Sequence, residues 1–164
     1  MSEPLRFDIS RLREDGGLRS ELELDAETFI DRRLPGTRPE GTLRLEVELS
    51  LGGEDVLLEV RARGAWILTC SRCLCEHRLD YDCAIEETYP LKEGELDVAD
   101  DVRQAVLLEV PPRSLCREDC RGLCPQCGQN LNAAPCACRV ETPSPFAALK
   151  NPVVKKEEKR HAEP

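Results

Sequence analysis

Residues 42–62 read TLRLEVELSLGGEDVLLEVRA. Leu43, Leu45, Val47, Leu49 and Leu51 alternate with Arg44, Glu46, Glu48 and Ser50. A period of two puts every second side chain on one face, so the stretch is a half-buried strand with one solvated face. Gly52-Gly53 marks a tight turn, and Val56, Leu58, Val60 and Ala62 resume the alternation, which makes the segment an antiparallel hairpin. Gly64 to Leu68 carries the single Trp and leads into Cys70-Ser71-Arg72-Cys73. Beyond it, Leu79, Tyr81, Cys83, Ile85 and Tyr89 give a third alternating strand. The middle of the chain is therefore expected to be an antiparallel sheet with a CxxC pair on a connection between strands.

Upstream, Leu5, Phe7 and Ile9 suggest a short strand followed by a polar stretch through Gly16-Gly17. Leu18 to Phe29 leaves strand and helix open, and Pro35 to Gly41 reads as a loop. Downstream, Asp97, Asp100 and Asp101 favour the positive end of a helix dipole. Val98, Val102, Ala105 and Val106 follow at helical spacing, an apolar stripe expected to pack on the sheet, and Pro111-Pro112 stops the helix. The expected fold class is α+β: an antiparallel β-sheet packed by a helix, with a C-terminal cysteine-rich zinc-knuckle module. The divisions are 1–115 for the body, 116–138 for the module and 139–164 for a mostly flexible, charged tail, within which Pro145 to Lys150 is a short apolar segment.

Six of the ten cysteines fall between Cys116 and Cys138. Cys124-Pro125-Gln126-Cys127-Gly128 is the tightest piece: two thiolates three positions apart face one metal when the backbone turns around it. Cys136 and Cys138 can complete a four-thiolate site with Cys124 and Cys127. Cys70 and Cys73 then need two more ligands, which Cys116 and Cys120 supply if the helix packs back over the sheet. The competing assignment puts Cys116, Cys120, Cys124 and Cys127 on one ion, with Cys136 and Cys138 free or swapped in. The split scheme is favoured because zinc sites combine turns from separate segments, and because Cys70 and Cys73 are otherwise orphaned. Cys83 reads as a small core residue, and Cys75, two past the first pair, stays ambiguous between spare thiol and substitute ligand.

The 164-residue chain is long enough to bury a core, so a metal module is an addition to it. Lys and Arg number 23 against 32 Asp and Glu, a formal charge of -9. Each four-thiolate zinc site adds about two more negative charges. This balance disfavours free-standing binding to a nucleic-acid backbone and suits a basic partner. The N-terminus has no secretory pattern, and no apolar run approaches the roughly 18 to 20 residues of a membrane span, so a cytoplasmic protein is expected. In a reducing compartment CxxC spacings read as metal ligands ahead of disulfides, and as zinc ahead of iron–sulfur. A catalytic zinc keeps an open position and usually a His or carboxylate ligand. The two histidines are His77, on an expected strand, and His161, in the tail. No P-loop, dinucleotide fingerprint, nucleophile elbow or HExxH occurs, so no catalytic residue is assigned.

The chain resembles the YceD family of large-subunit ribosomal RNA accumulation proteins. The resemblance rests on Cys70-Ser71-Arg72-Cys73-Leu74, the helix from Asp97 to Leu108 with Val110-Pro111 behind it, and Leu115-Cys116 leading to Cys120. It continues through Gly122-Leu123-Cys124-Pro125-Gln126-Cys127-Gly128, Leu131-Asn132 and the segment from Pro145 to Lys150. It implies a non-enzymatic factor needed for large-subunit rRNA to accumulate, with a basic ribosomal protein or a large-subunit precursor particle as partner. Direct RNA contact is a weaker reading, because aromatic residues make up 4% of the chain and stacking platforms are scarce. The alternative from a different class is a thiol-based redox or metal-responsive switch using the CxxC pairs.

Overall fold

The hairpin read from residues 42–62 is the centre of a larger sheet. The computed structural model describes residues 5–31, 34–92 and 94–138. In chain order the elements are β1 (Arg6–Asp8), α1 (Ile9–Asp15), β2 (Gly17–Asp25), α2 (Ala26–Phe29), β3 (Thr37–Gly52) and β4 (Asp55–Thr69). β5 (Glu76–Pro90), β6 (Glu95–Asp97) and α3 (Ala99–Leu108) follow. β2, β3, β4 and β5 form one antiparallel sheet in sequence order, and β1 pairs with β6 in a separate two-stranded ribbon. The β3–β4 turn closes on the Gly52–Asp55 pair with Gly53 at φ 67°, a left-handed value that glycine adopts without a Cβ penalty.

Alternation sends one face of this sheet to water and the other to a single apolar core. Leu43, Leu45, Val47 and Leu49 of β3 meet Val56, Leu58, Val60 and Ala62 of β4 and Tyr81, Cys83 and Ile85 of β5. Helices close the core: Ile9 and Leu12 from α1, Ala26 and Phe29 from α2, and Ala99, Val102 and Val106 from α3. Val98, just before α3, is fully buried beside them. Cys83 is thus a core side chain. Gly64 stands opposite Tyr81, and its missing side chain lets the phenol lie across the strand; a Cβ there would come within 2.7 Å of Tyr81 Cζ. The Tyr81 ring in turn tilts against Trp66 with centroids 6.0 Å apart.

The outer face carries cross-strand ion pairs. Arg44 reaches Glu23 at 3.0 Å, Arg63 reaches Glu46 at 2.7 Å and Arg61 reaches Asp82 at 2.7 Å. Such exposed pairs contribute little singly and mainly reinforce register. Asp82 is held by both Arg61 and Arg63, and these hydrogen bonds bring its carboxyl down to about 2. A depressed carboxyl stabilises the fold above its unfolded pKa of about 4, and that contribution fades as pH falls toward 2. Asp82→Asn should therefore flatten part of the stability change between those pH values, measured by urea unfolding at stepped pH.

Local details correct or complete the sequence reading. The polar stretch after Ile9 is the helix α1: Asp8 accepts the Ser10 N–H at 2.8 Å as its cap, and only Ile9 and Leu12 turn inward. Residues 18–29 hold both options in succession, β2 and then α2, with Asp25 capping through the Thr28 N–H. Most of the expected loop from Pro35 to Gly41 belongs to β3, which begins at Thr37. Pro39 is tolerated because β2 pairs only with Thr42 to Ser50, so that end of β3 has one neighbour and no strand on its other side that needs the N–H proline lacks. α3 starts at Ala99, with Asp97 as the end of β6 accepting the Ala99 N–H. No described helix is long and apolar enough to cross a membrane. The expectations for residues 139–164, including Pro145 to Lys150 and His161, lie outside the described residues.

Candidate metal centres

β4 ends at Thr69 and β5 begins at Glu76, so residues 70–75 form the connection at one end of the sheet. The chain leaving α3 returns to this connection and is fastened there. Ser71 N–H donates to Ser114 O at 2.8 Å, Ser114 N–H reaches Ser71 Oγ at 3.3 Å, and His77 Nε2 lies 2.6 Å from Ser114 Oγ. Cys116 is thereby set beside the first CxxC turn. A second fastening follows: Arg72 donates to Cys120 O at 2.9 Å, and Leu123 N–H donates to Arg72 O at 3.1 Å. Gly122 sits so close to Arg72 O that a Cβ would be 2.9 Å from it.

These contacts bring Cys70, Cys73, Cys116 and Cys120 together, with their sulfurs all within 4.8 Å of one another. The Cys70–Cys120 sulfur distance is 3.8 Å and the Cys73–Cys116 distance is 3.6 Å. Zinc–sulfur bonds of about 2.3 Å in a tetrahedron give edges of about 3.8 Å, so the set fits one ion with little movement. Cys70, Cys73 and Cys120 are buried and Cys116 half-buried. Among the described residues no His or carboxylate joins the four.

The second set is local. Cys124, Cys127, Cys136 and Cys138 also place four sulfurs within 4.8 Å of one another. The Leu123–Asn130 bridge closes the turn around Cys124 and Cys127. Gln129 Nε2 then donates to Ala134 O at 3.3 Å and Pro135 O at 3.4 Å, which turns the chain back so that Cys136 and Cys138 arrive. All eight cysteines singled out by spacing thus fall into the two expected groups, and both groups can hold metal ions. Cys116, Cys120, Cys124 and Cys127, the competing foursome, do not form a group among the described residues.

Electrostatics show why a cation suits both sets. Burial opposes ionisation of Cys70, but N–H groups of Cys116, Cys73 and Arg72 outweigh it and bring the thiol down to about 5. N–H groups of Cys127 and Gln126 bring Cys124 down to about 6. Burial and the neighbouring sulfurs push Cys116 up, and Cys138 is pushed up to about 12, chiefly by Cys127. Each set therefore combines a ready thiolate with a reluctant thiol, and a dication is what lets all four ionise together while releasing protons.

Sequence spacing missed Asn132. Its side-chain N–H donates to Cys120 Sγ at 3.4 Å, while its carbonyl oxygen accepts from Arg121 N–H and Arg117, each at 2.8 Å. It orients a ligand sulfur from outside the metal shell. Asn132 is one of four amide side chains among the clustered cysteines, with Gln126, Gln129 and Asn130, so nothing in the sequence singles it out. Asn132→Ala is expected to weaken metal retention at the first centre about 10- to 100-fold, read by chelator competition.

Residues 84–151 match the family model described as large ribosomal RNA subunit accumulation protein YceD. Over those residues the chain is similar to the YceD family. Six of the eight cysteines lie inside the YceD match, and Cys70 and Cys73 precede it. An uncharacterized protein of Mycobacterium tuberculosis is 29% identical over 154 residues, covering 82% of this chain and 74% of its own. The large ribosomal RNA subunit accumulation protein YCED homolog 1 of Zea mays, chloroplastic, is 27% identical over 146 residues, covering 85% of this chain and 48% of its own. Its counterpart in Arabidopsis thaliana is 34% identical over 64 residues, 38% of this chain and 20% of its own. No solved structure matches the chain significantly.

Proposed function

We propose that this protein is a YceD-type, non-enzymatic assembly factor of the cytoplasm, needed for large-subunit rRNA to accumulate or be processed. In this reading Cys70, Cys73, Cys116 and Cys120 hold one structural zinc ion, and Cys124, Cys127, Cys136 and Cys138 hold a second. The observation that carries the ribosomal part is the family match over residues 84–151, together with the chloroplast relatives of that name. Zinc is favoured by two all-sulfur sets of four, a closed donor shell that leaves no ligand position for catalysis.

The partner is a basic ribosomal protein, or a large-subunit precursor particle that presents one. The chain carries a charge of -9, and arginines of the outer sheet face are engaged by acids, as in Arg44–Glu23 and Arg78–Glu40. A phosphate backbone finds few open cations on that face, so direct RNA contact is secondary, whereas a cationic protein meets a complementary field that speeds encounter. Depletion in cells is expected to lower the large-subunit peak in sucrose gradients and to raise unprocessed large-subunit rRNA. An unchanged subunit profile with unchanged precursor levels would refute the assignment.

The thiol-switch reading has in its favour the exposure of Cys75 and Cys127. It requires a solvent-reachable, reactive thiol in the metal-loaded protein. Ready alkylation of Cys124 or Cys127 in that state supports the switch, and protection supports a structural site.

A further inference from the structure

The two CxxC turns share one backbone plan, and one of the positions at which their sequences differ bears on the metal. In the first, Cys70 N–H donates to Cys75 O at 2.9 Å and Leu74 N–H to Cys70 O at 3.0 Å. In the second, Cys124 N–H donates to Gln129 O at 2.8 Å and Gly128 N–H to Cys124 O at 2.9 Å. Leu74 and Gly128 occupy the same left-handed position, with φ of 60° and 72°. Cys75 therefore stands where Gln129 stands in the second turn. Gln129 spends its side chain on the backbone of residues 134 and 135, but Cys75 turns its thiol onto the neighbouring sulfur set. Its sulfur lies 3.1 Å from that of Cys73, which is itself 3.6 Å from that of Cys116. Cys75 is exposed while Cys73 is buried.

We propose that Cys75 is a fifth ligand thiol of the first centre, interchangeable with Cys73, so that this centre holds its ion exchangeably while the second has no such thiol. The inference rests on the metal reading above. A separation of 3.1 Å is too short for two corners of a tetrahedron whose edges are about 3.8 Å, so Cys73 and Cys75 take turns at one corner. Neighbouring staggered rotamers of a cysteine place its sulfur about 3 Å apart, so one rotation of each side chain covers the distance. As the Cys75 sulfur binds the ion, its proton passes to the departing Cys73 sulfur. The centre keeps four thiolates and its charge throughout. An entering thiol already touching the ligand it would replace is the arrangement that associative ligand exchange needs, and its exposure opens that step to solvent.

The test uses the full chain loaded with Co2+, whose thiolate charge-transfer absorption counts bound sulfurs, and with Zn2+ counted by native mass spectrometry. Cys73→Ser should match wild type in both ion count and absorption, because Cys75 takes the vacant corner. The double variant Cys73→Ser/Cys75→Ser and the control Cys70→Ser should each lose one ion or about an eighth of the absorption, one of eight sulfurs. Loss in Cys73→Ser equal to that in the double variant overturns the proposal. In a second arm, Cys75→Ser with Cys73 intact should release its first zinc to excess chelator at least about tenfold more slowly than wild type, and an unchanged rate overturns the proposal as well. Wild-type protein that takes up fewer than two ions would instead overturn the metal reading itself, an outcome distinct from loss confined to the variants.

Discussion

Stripping zinc from the full chain with excess chelator should raise amide hydrogen exchange over residues 116–138 by roughly a hundredfold or more, while β2 to β5 keep their protection. The difference follows from what each part buries. The sheet and its helices share one large core of aliphatic and aromatic side chains. The second cluster consists of Cys70, Cys73 and Cys120, with only Cys116 and Leu123 packed against it. Five such side chains cannot offset the conformational entropy of some twenty ordered residues at about 1 to 2 kcal/mol each. On the proposed metal reading the ions supply the difference, since binding free energy at a structural site is folding free energy. Exchange rising uniformly across the chain would instead make the ions part of the body's stability, and no rise at all would remove the metals from the account of residues 116–138.

Trp66→Ala is expected to cost about 3–5 kcal/mol, the range for deleting a buried large aromatic, and to lower Tm by about 10 °C for a chain of this size. Trp66 is 1% exposed, pairs in register with Pro39 and Leu79, and meets the Tyr81 ring. Its Nε1 has no hydrogen-bond partner among the described residues, so Trp66→Phe sacrifices volume but no hydrogen bond and should cost less than half as much. Urea unfolding of the two variants checks the ratio. Below its melting point Trp66→Ala should still carry two ions, because Trp66 belongs to the large core and neither sulfur set does. An alanine variant as stable as the phenylalanine one would mean that packing at Trp66 is not what holds this end of the sheet.

What could be read before folding was whatever repeats at a fixed period. Leu43 to Ala62 announced the central hairpin because the alternation is unbroken and one face is charged. The apolar stripe of α3 was visible for the same reason at helical spacing. α1 escaped because seven residues make barely two turns and only Ile9 and Leu12 point inward, too few to set a period. Pro39 misled because its compatibility with a strand depends on a missing neighbour, a fact of tertiary arrangement. The grouping of Cys70 and Cys73 with Cys116 and Cys120 could be inferred by elimination once Cys124 to Cys138 was seen to close locally. The positions of Cys75 and Asn132 could not, since each depends on where a turn aims one side chain. A left-handed Leu74 is the clearest instance, because at that position sequence reading expects glycine.

The spread of the first sulfur set along the chain also orders events during synthesis. Cys70 and Cys73 leave the ribosome ahead of β5, and Cys116 and Cys120 appear only after α3. A nascent chain emerging from its N-terminus can pair all four strands of the large sheet while half of the first centre is still enclosed by the ribosome. Closing that centre requires a chain translated past Cys120, whereas the second centre waits only on the short stretch that contains it. Sheet first, clasp next and distal loop last is the sequence of assembly that the reading direction of the message imposes on this molecule.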